Sequence, residues 1–215
     1  MRLRIIPLGT SAGRPTLLRG ASALAVAAEA SWVLCDCGEG AQIAAQRAGL
    51  SLSRLDAVLI THLHGDHFNG LPGLLGTLGL EGRQRELVVA GPPGIADLLQ
   101  HLARAGSLGT GEMPVRVIEQ EGAGAEIELG RGVDALVHEA TYEHARAELA
   151  HERGHSTGVE AARIAAEAEA HALVLTHFSP SVNGEEVAAE ARSIHPHIVA
   201  AADLAEVHPS KSGDM

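Results

Sequence analysis

The chain has 215 residues, 46% of them hydrophobic, which is enough for one well-buried core and sets no requirement for a second domain. Aromatic residues make up only 2%, so packing rests on Ala, Leu, Val and Ile while 25 glycines supply tight turns, a mixture that suits a layered α/β protein. A formal charge of −11 excludes broad, sequence-independent binding of nucleic acid, which needs clustered Lys and Arg to displace counterions from phosphates, and leaves open a local basic patch.

The first residues, Met1 to Pro7, carry no long apolar leader and enter a strand pattern directly. No apolar run is long enough to span a bilayer, so a soluble cytoplasmic protein with no membrane partner is expected. Strands are predicted at residues 3–8, 23–27 and 32–35, separated by turns rich in Gly, Pro and Ser, before a helix over 39–48. Cys35 and Cys37 stand two apart in extended backbone, a poor geometry for a disulfide, and read as buried core thiols of a reducing compartment. A buried strand over 56–61 runs into a histidine-rich loop, a glycine-broken helix follows over 70–80, and a strand over 87–90 leads through Gly91-Pro92-Pro93-Gly94 to a helix ending near Ala105. These are βα units.

The middle of the chain, residues 106–132, offers two short strands at 115–118 and 126–129. The βα rhythm then resumes with a strand over 133–137, a polar helical stretch to Arg153, a helix over 158–170, a strand over 172–176, a helix over 184–192 and a strand over 198–201. Residues 1–205 are expected to form a single domain, with 206–215 a frayed tail.

The stretch that carries chemistry is Thr61-His62-Leu63-His64-Gly65-Asp66-His67, four metal-ligand side chains in six residues directly after an apolar strand. A metal site needs neutral imidazoles and carboxylates held by a stiff backbone, which the end of a buried strand provides. His62 and His64 can aim to one side, while the turn at Gly65 swings Asp66 and His67 to a second point nearby. That arrangement suits two metal ions that lower the pKa of a shared water and clamp a phosphoryl oxygen.

Several segments together are similar to the metallo-β-lactamase superfamily, and within it to the ribonuclease Z family of tRNA 3′-processing endonucleases: Leu8-Gly9-Thr10-Ser11-Ala12-Gly13, Asp36-Cys37-Gly38-Glu39-Gly40, the metal loop, Gly91-Pro92-Pro93-Gly94-Ile95, His138-Glu139-Ala140-Thr141, His155-Ser156-Thr157 and Thr176-His177-Phe178-Ser179. The resemblance implies a four-layer αββα sandwich, shortened in the middle, and zinc-dependent cleavage of a phosphodiester in precursor tRNA. It implies two zinc ions in a complete site, or one, and a homodimer. By resemblance, His62 and His64 bind one metal, while Asp66, His67 and His177 bind the other. Asp66 also takes a proton from the attacking water. His155, supported by Glu139, donates a proton to the leaving 3′ oxygen, and Asp36 orients a ligand imidazole.

The chain departs from the family pattern in its middle. It has no histidine between His101 and His138 and no aspartate between Asp97 and Asp134, where the family places one more ligand and a bridging aspartate. His138 and Glu139 are the candidate stand-ins for the bridge, with His151 more distant. The family's arm for gripping tRNA is absent, and Pro180-Ser181-Val182 follows Ser179 where the family keeps a phosphate-binding arginine. Two further readings therefore stand beside the first: a catalytically impaired metal-binding paralogue, and a hydrolase of a small phosphodiester or ester.

Overall fold

The computed structural model describes residues 3–120 and 131–209. Six strands form the first sheet in sequential order: β1 (Arg4–Gly9), β2 (Ala23–Ala27), β3 (Trp32–Cys35), β4 (Leu55–Leu59), β5 (Leu87–Gly91) and β6 (Val115–Glu119). The hairpin pairings β1–β2 and β2–β3 are antiparallel, and β3 to β6 are parallel. Parallel neighbours need crossovers, and the helices α1 (Ala41–Arg47), α3 (Leu71–Leu80) and α4 (Ile95–Arg104) supply them, with the short α2 (Gly65–Phe68) ahead of α3. The second sheet is parallel throughout: β7 (Leu136–Glu139), β8 (Leu173–Thr176) and β9 (Ile198–Ala200), crossed by α5 (Ala147–Glu152), α6 (Gly158–Glu167) and α7 (Gly184–Ala191). The strand predicted over residues 126–129 lies outside the described residues.

Alternation along the strands sorts the core into layers. Ile6 and Leu8 of β1, Ala25 of β2 and Leu34 of β3 point to the helix side, where they meet Leu71, Leu74, Leu75 and Leu78 of α3. Ile5 and Leu24 point the other way and pack with Val174 of β8, Val137 of β7 and Val199 of β9, so the two sheets face each other. Leu173 and Leu175 of β8 turn from that seam toward Val159, Ala161 and Ala162 of α6 and Val187 of α7. The result is the expected αββα sandwich.

Two differences from the predicted elements have clear causes. The strand expected over 133–137 runs instead from Leu136 to Glu139, because the parallel register pairs Leu136 with Leu173 and Glu139 with Thr176. The start of the expected tail is docked: Val207 is buried and exchanges backbone hydrogen bonds of 2.8 Å with Ile5, while Leu204 N donates to Pro7 O. Pro7 is tolerated because β1 is an edge strand, and residues 204–207 cover the edge that it leaves open.

The sheets are also fastened at the opposite end of the seam. Phe178 N donates to Thr10 O at 2.8 Å and Ala12 N donates to Phe178 O at 2.9 Å, so the loop after β1 is tied to the loop after β8. Close backbone approach seats the metal loop on the same edge. A Cβ at Gly70 would overlap the carbonyl of Gly38, and one at Gly38 would crowd the carbonyl of Asp66.

Candidate metal centre

The carboxyl ends of β3, β4, β7 and β8 meet at one edge of the sandwich, and each delivers a polar side chain there. Asp36 follows β3, the His62 to His67 loop follows β4, Glu139 ends β7 and His177 follows β8. They line a cavity of about 710 Å³ together with Thr61, His138, Arg153, His155 and Thr176. Asp36 and His177 both have positive φ, 57° and 59°, in residues where that conformation costs roughly 1–2 kcal/mol. The strain sits at the two positions that must turn a side chain back into the cavity.

Asp66, His67 and His177 converge. Nε2 of His67 lies 3.0 Å from Nε2 of His177, and Oδ2 of Asp66 is 3.4 Å from each of them. Each group has a fixed partner, the two histidines on the ring nitrogen away from the cluster and Asp66 on the oxygen that faces it. Nδ1 of His67 donates to Asp36 at 2.7 Å, which leaves the lone pair of Nε2 facing the cluster. Nδ1 of His177 donates to the Thr141 hydroxyl at 3.0 Å, and that hydroxyl donates to Glu139 at 2.6 Å. Oδ2 of Asp66 accepts from the Gly13 amide at 2.7 Å. The contact with His177 and the Gly13 amide keep the Asp66 carboxyl well below the usual carboxylate range, against the opposing pull of burial. It is ionised at neutral pH, and the three groups fit a divalent metal ion that takes nitrogen and oxygen ligands.

His62 and His64 form a separate pair, with Nε2 of His62 3.1 Å from Nδ1 of His64. Nδ1 of His62 donates to the Thr61 hydroxyl at 3.0 Å, and Thr61 donates through both its hydroxyl and its amide to Asp36. A single carboxylate therefore orients His67 directly and His62 through a threonine. Burial, and then the charge on His67 and His64, push His62 below the ordinary histidine range, so its ring is neutral and able to ligate. The His62 ring centroid is 4.0 Å from that of His67, which puts the two ligand groups side by side.

His155 and Glu139 stand on the other flank of His177. The His155 ring centroid is 5.4 Å from that of His177, and Nδ1 of His155 is 3.9 Å from Glu139 Oε2. Burial pulls His155 below the ordinary histidine range, with Glu139 acting in the opposite direction. Glu139 is fully engaged: Oε2 accepts from the amide and hydroxyl of Thr141, and Oε1 accepts from the amide of Ser156. Both carboxylate oxygens thus hold loops that carry His155 and His177. Glu139 approaches His177 on the side of Thr141, and Glu139, His155 and His177 form a second cluster whose ligand atoms lie within 4.8 Å of one another. Nδ1 of His138, the other stand-in, donates to the Glu139 carbonyl at 2.7 Å. The distant candidate, His151, pairs with Glu160 at 2.5 Å on an exposed surface.

Sequence reasoning gave no role to two participants. Thr61 and Thr141, both inside the motifs quoted above, relay the carboxylates of Asp36 and Glu139 to candidate ligand histidines. Thr157 was matched as part of His-Ser-Thr; it caps α6 in a reciprocal box with Glu160, which accepts from Thr157 N at 2.8 Å. That cap fixes where the loop bearing His155 ends.

This fold, with its ligands at one sheet edge, defines a class, and residues 17–138 match the Metallo-beta-lactamase superfamily. The chain is 32% identical to a ribonuclease Z of Gloeothece citriformis, with 94% of this chain and 95% of that one aligned. It is 30% identical to a ribonuclease Z of Synechococcus sp., over 99% of this chain and 98% of the relative. The crystal structure of human tRNase Z, short form, superposes with a TM-score of 0.80 at 26% identity, covering 96% of this chain and 99% of that one. The chain belongs to the ribonuclease Z family of the metallo-β-lactamase superfamily. The Synechococcus alignment runs over 316 positions against the 215 residues present here, so many residues of the relative stand opposite none in this chain. Among the described residues no helix is long and apolar enough to cross a membrane.

Proposed function

We propose that the protein is a zinc-dependent phosphodiester hydrolase of the ribonuclease Z type, which removes 3′ trailers from precursor tRNA. The observation that carries this reading is the convergence of Asp66, His67 and His177, flanked on one side by His62 and His64 and on the other by His155. Bound zinc would supply Lewis acidity toward a phosphate oxygen and a lowered pKa for water.

The remaining steps belong to side chains. Asp66, kept ionised, takes a proton from the attacking water. His155 gives a proton to the leaving 3′ oxygen; its own lowered pKa is raised again when the negative phosphate enters beside it. Glu139 acts through the backbone of Ser156 and the hydroxyl of Thr141 to keep His155 and His177 in register. Arg153 is the one arginine among the residues lining the cavity, and its Nη1 donates to the hydroxyl of Tyr142 at 3.2 Å. It replaces the cation missing after Ser179 as the partner of the substrate phosphate. Likeness to the family supports a cytoplasmic homodimer, which light scattering of the purified protein checks.

Release of a discrete trailer from precursor tRNA tests the proposal, with Asp66→Asn as the control. The variant is expected to be slower by about 10²–10⁴-fold, the range for losing a positioned proton acceptor. Equal rates would overturn the assignment of Asp66. No cleavage by either protein would favour the impaired paralogue, and turnover of bis-aryl phosphate without tRNA cleavage would favour the small-substrate reading.

A further inference from the structure

The two ligand groups are not equivalent. Asp66, His67 and His177 bring three ligand atoms within reach of one ion, and the two histidines are 5% and 6% exposed. Every member has a fixed partner, so little reorganisation is needed on binding: Gly13 on the inward oxygen of Asp66, Asp36 behind His67 and Thr141 behind His177. His62 and His64 offer two imidazoles, His64 is exposed, and no third ligand among the described residues joins them. In the stretch where the family supplies the missing groups, residues 106–132, there is neither histidine nor aspartate.

From this asymmetry we infer that the protein holds one zinc ion tightly, at Asp66, His67 and His177, and that the His62–His64 position is filled only when a phosphate oxygen completes it. The inference rests on the metal-dependent reading above and makes the second ion a companion of the substrate. Catalytic zinc sites commonly use three protein ligands and leave the fourth position to water or substrate, which the first group satisfies and the second does not. Two imidazoles leave half of a tetrahedral shell to solvent. A phosphate oxygen supplies both a ligand and negative charge there, so binding of the second ion and of phosphate each strengthen the other by the same factor.

The test is zinc content, independent of turnover. Purified protein is loaded with excess zinc, desalted and analysed for metal per chain, with and without inorganic phosphate in the buffer. One zinc per chain is expected without phosphate, with a second binding at least about tenfold more weakly in calorimetric titration and tightening when phosphate is added. His64→Ala and His62→Ala are expected to retain the single ion and to lose the phosphate-dependent one. His177→Asn, which keeps a residue tolerant of positive φ, is expected to retain none while its circular dichroism stays native. Two ions retained without phosphate, or loss of the tight ion in His64→Ala, would overturn the inference. The outcomes separate from those of the function: a chain that holds one ion and cleaves no tRNA keeps this inference and loses the other, and a chain that cleaves with two tight ions does the reverse.

Discussion

Oδ2 of Asp36 lies 2.7 Å from Nδ1 of His67, and both side chains are buried. Through Thr61 the same carboxylate reaches His62, so one residue orients a candidate ligand in each group.

Asp36→Asn is expected to weaken zinc binding by about 10–100-fold, the usual cost of losing an outer partner of a ligand imidazole. An amide oxygen still accepts a hydrogen bond, but it lacks the charge that favours Nδ1–H over Nε2–H. Competition against a chromophoric chelator measures the change. An unaltered affinity would show that the His67 tautomer is set elsewhere.

Arg153 sits at the C-terminus of α5, where its amide bonds to Leu149 O and Ala150 O, and the turn at Gly154 then returns His155 to the cavity. Arg153→Gln is expected to raise KM for precursor tRNA roughly tenfold with a smaller fall in kcat, because a rim cation helps substrate and transition state alike. The variant's activity should also fall less steeply with added salt. A fall in kcat with KM unchanged would place Arg153 in the chemical step instead.

Arg83 is expected to be a stability residue. It is 8% exposed, and its guanidinium donates to the carbonyls of Leu55 at 2.8 Å, Glu86 at 3.1 Å and Arg85 at 2.8 Å. Arg83→Met leaves the buried Leu55 carbonyl and the part-buried carbonyls of Arg85 and Glu86 without this donor, at a cost of about 2–3 kcal/mol in urea unfolding. Zinc content of the folded variant should be unchanged.

The thiols give a prediction with a definite sign. Burial, with the negative charge of Asp36 adding to it, pushes the Cys35 thiol up to about 11 and Cys37 further still. A raised thiol pKa means less thiolate at any given pH, so both stay protonated at pH 8; half-buried Cys35, on the cavity wall, is expected to react slowly with a disulfide reagent in the native chain, and buried Cys37 only on unfolding. Rapid labelling of Cys37 in native protein would contradict its burial just after β3.

The strands from β2 to β5 were legible in the sequence because short β-branched and aliphatic runs are punctuated by Gly, Pro and Ser. The candidate ligands could be singled out because four of them sit in one loop and His177 lies in a recognisable motif. What stayed hidden was relational. Whether Glu139 bridges metals or braces loops depends on which edge of His177 it meets, a matter of strand register between β7 and β8. Nothing in the sequence around Arg83 announces the carbonyls of Leu55, Arg85 and Glu86 that the fold brings around it. Val207 reads as tail until the edge of β1 gives its backbone a partner.

The tie between Phe178 and the loop after β1 also sets the order in which the centre can come into being. Asp66 and His67 emerge early from the ribosome, but His177 and the backbone bonds of Phe178 that seat it arrive only with the second sheet. A nascent chain or truncated fragment that stops short of β8 carries the histidine loop without the closed cage. Under the proposed assignment, a metal ion held by Asp66, His67 and His177 would have to wait for both sheets to be in place.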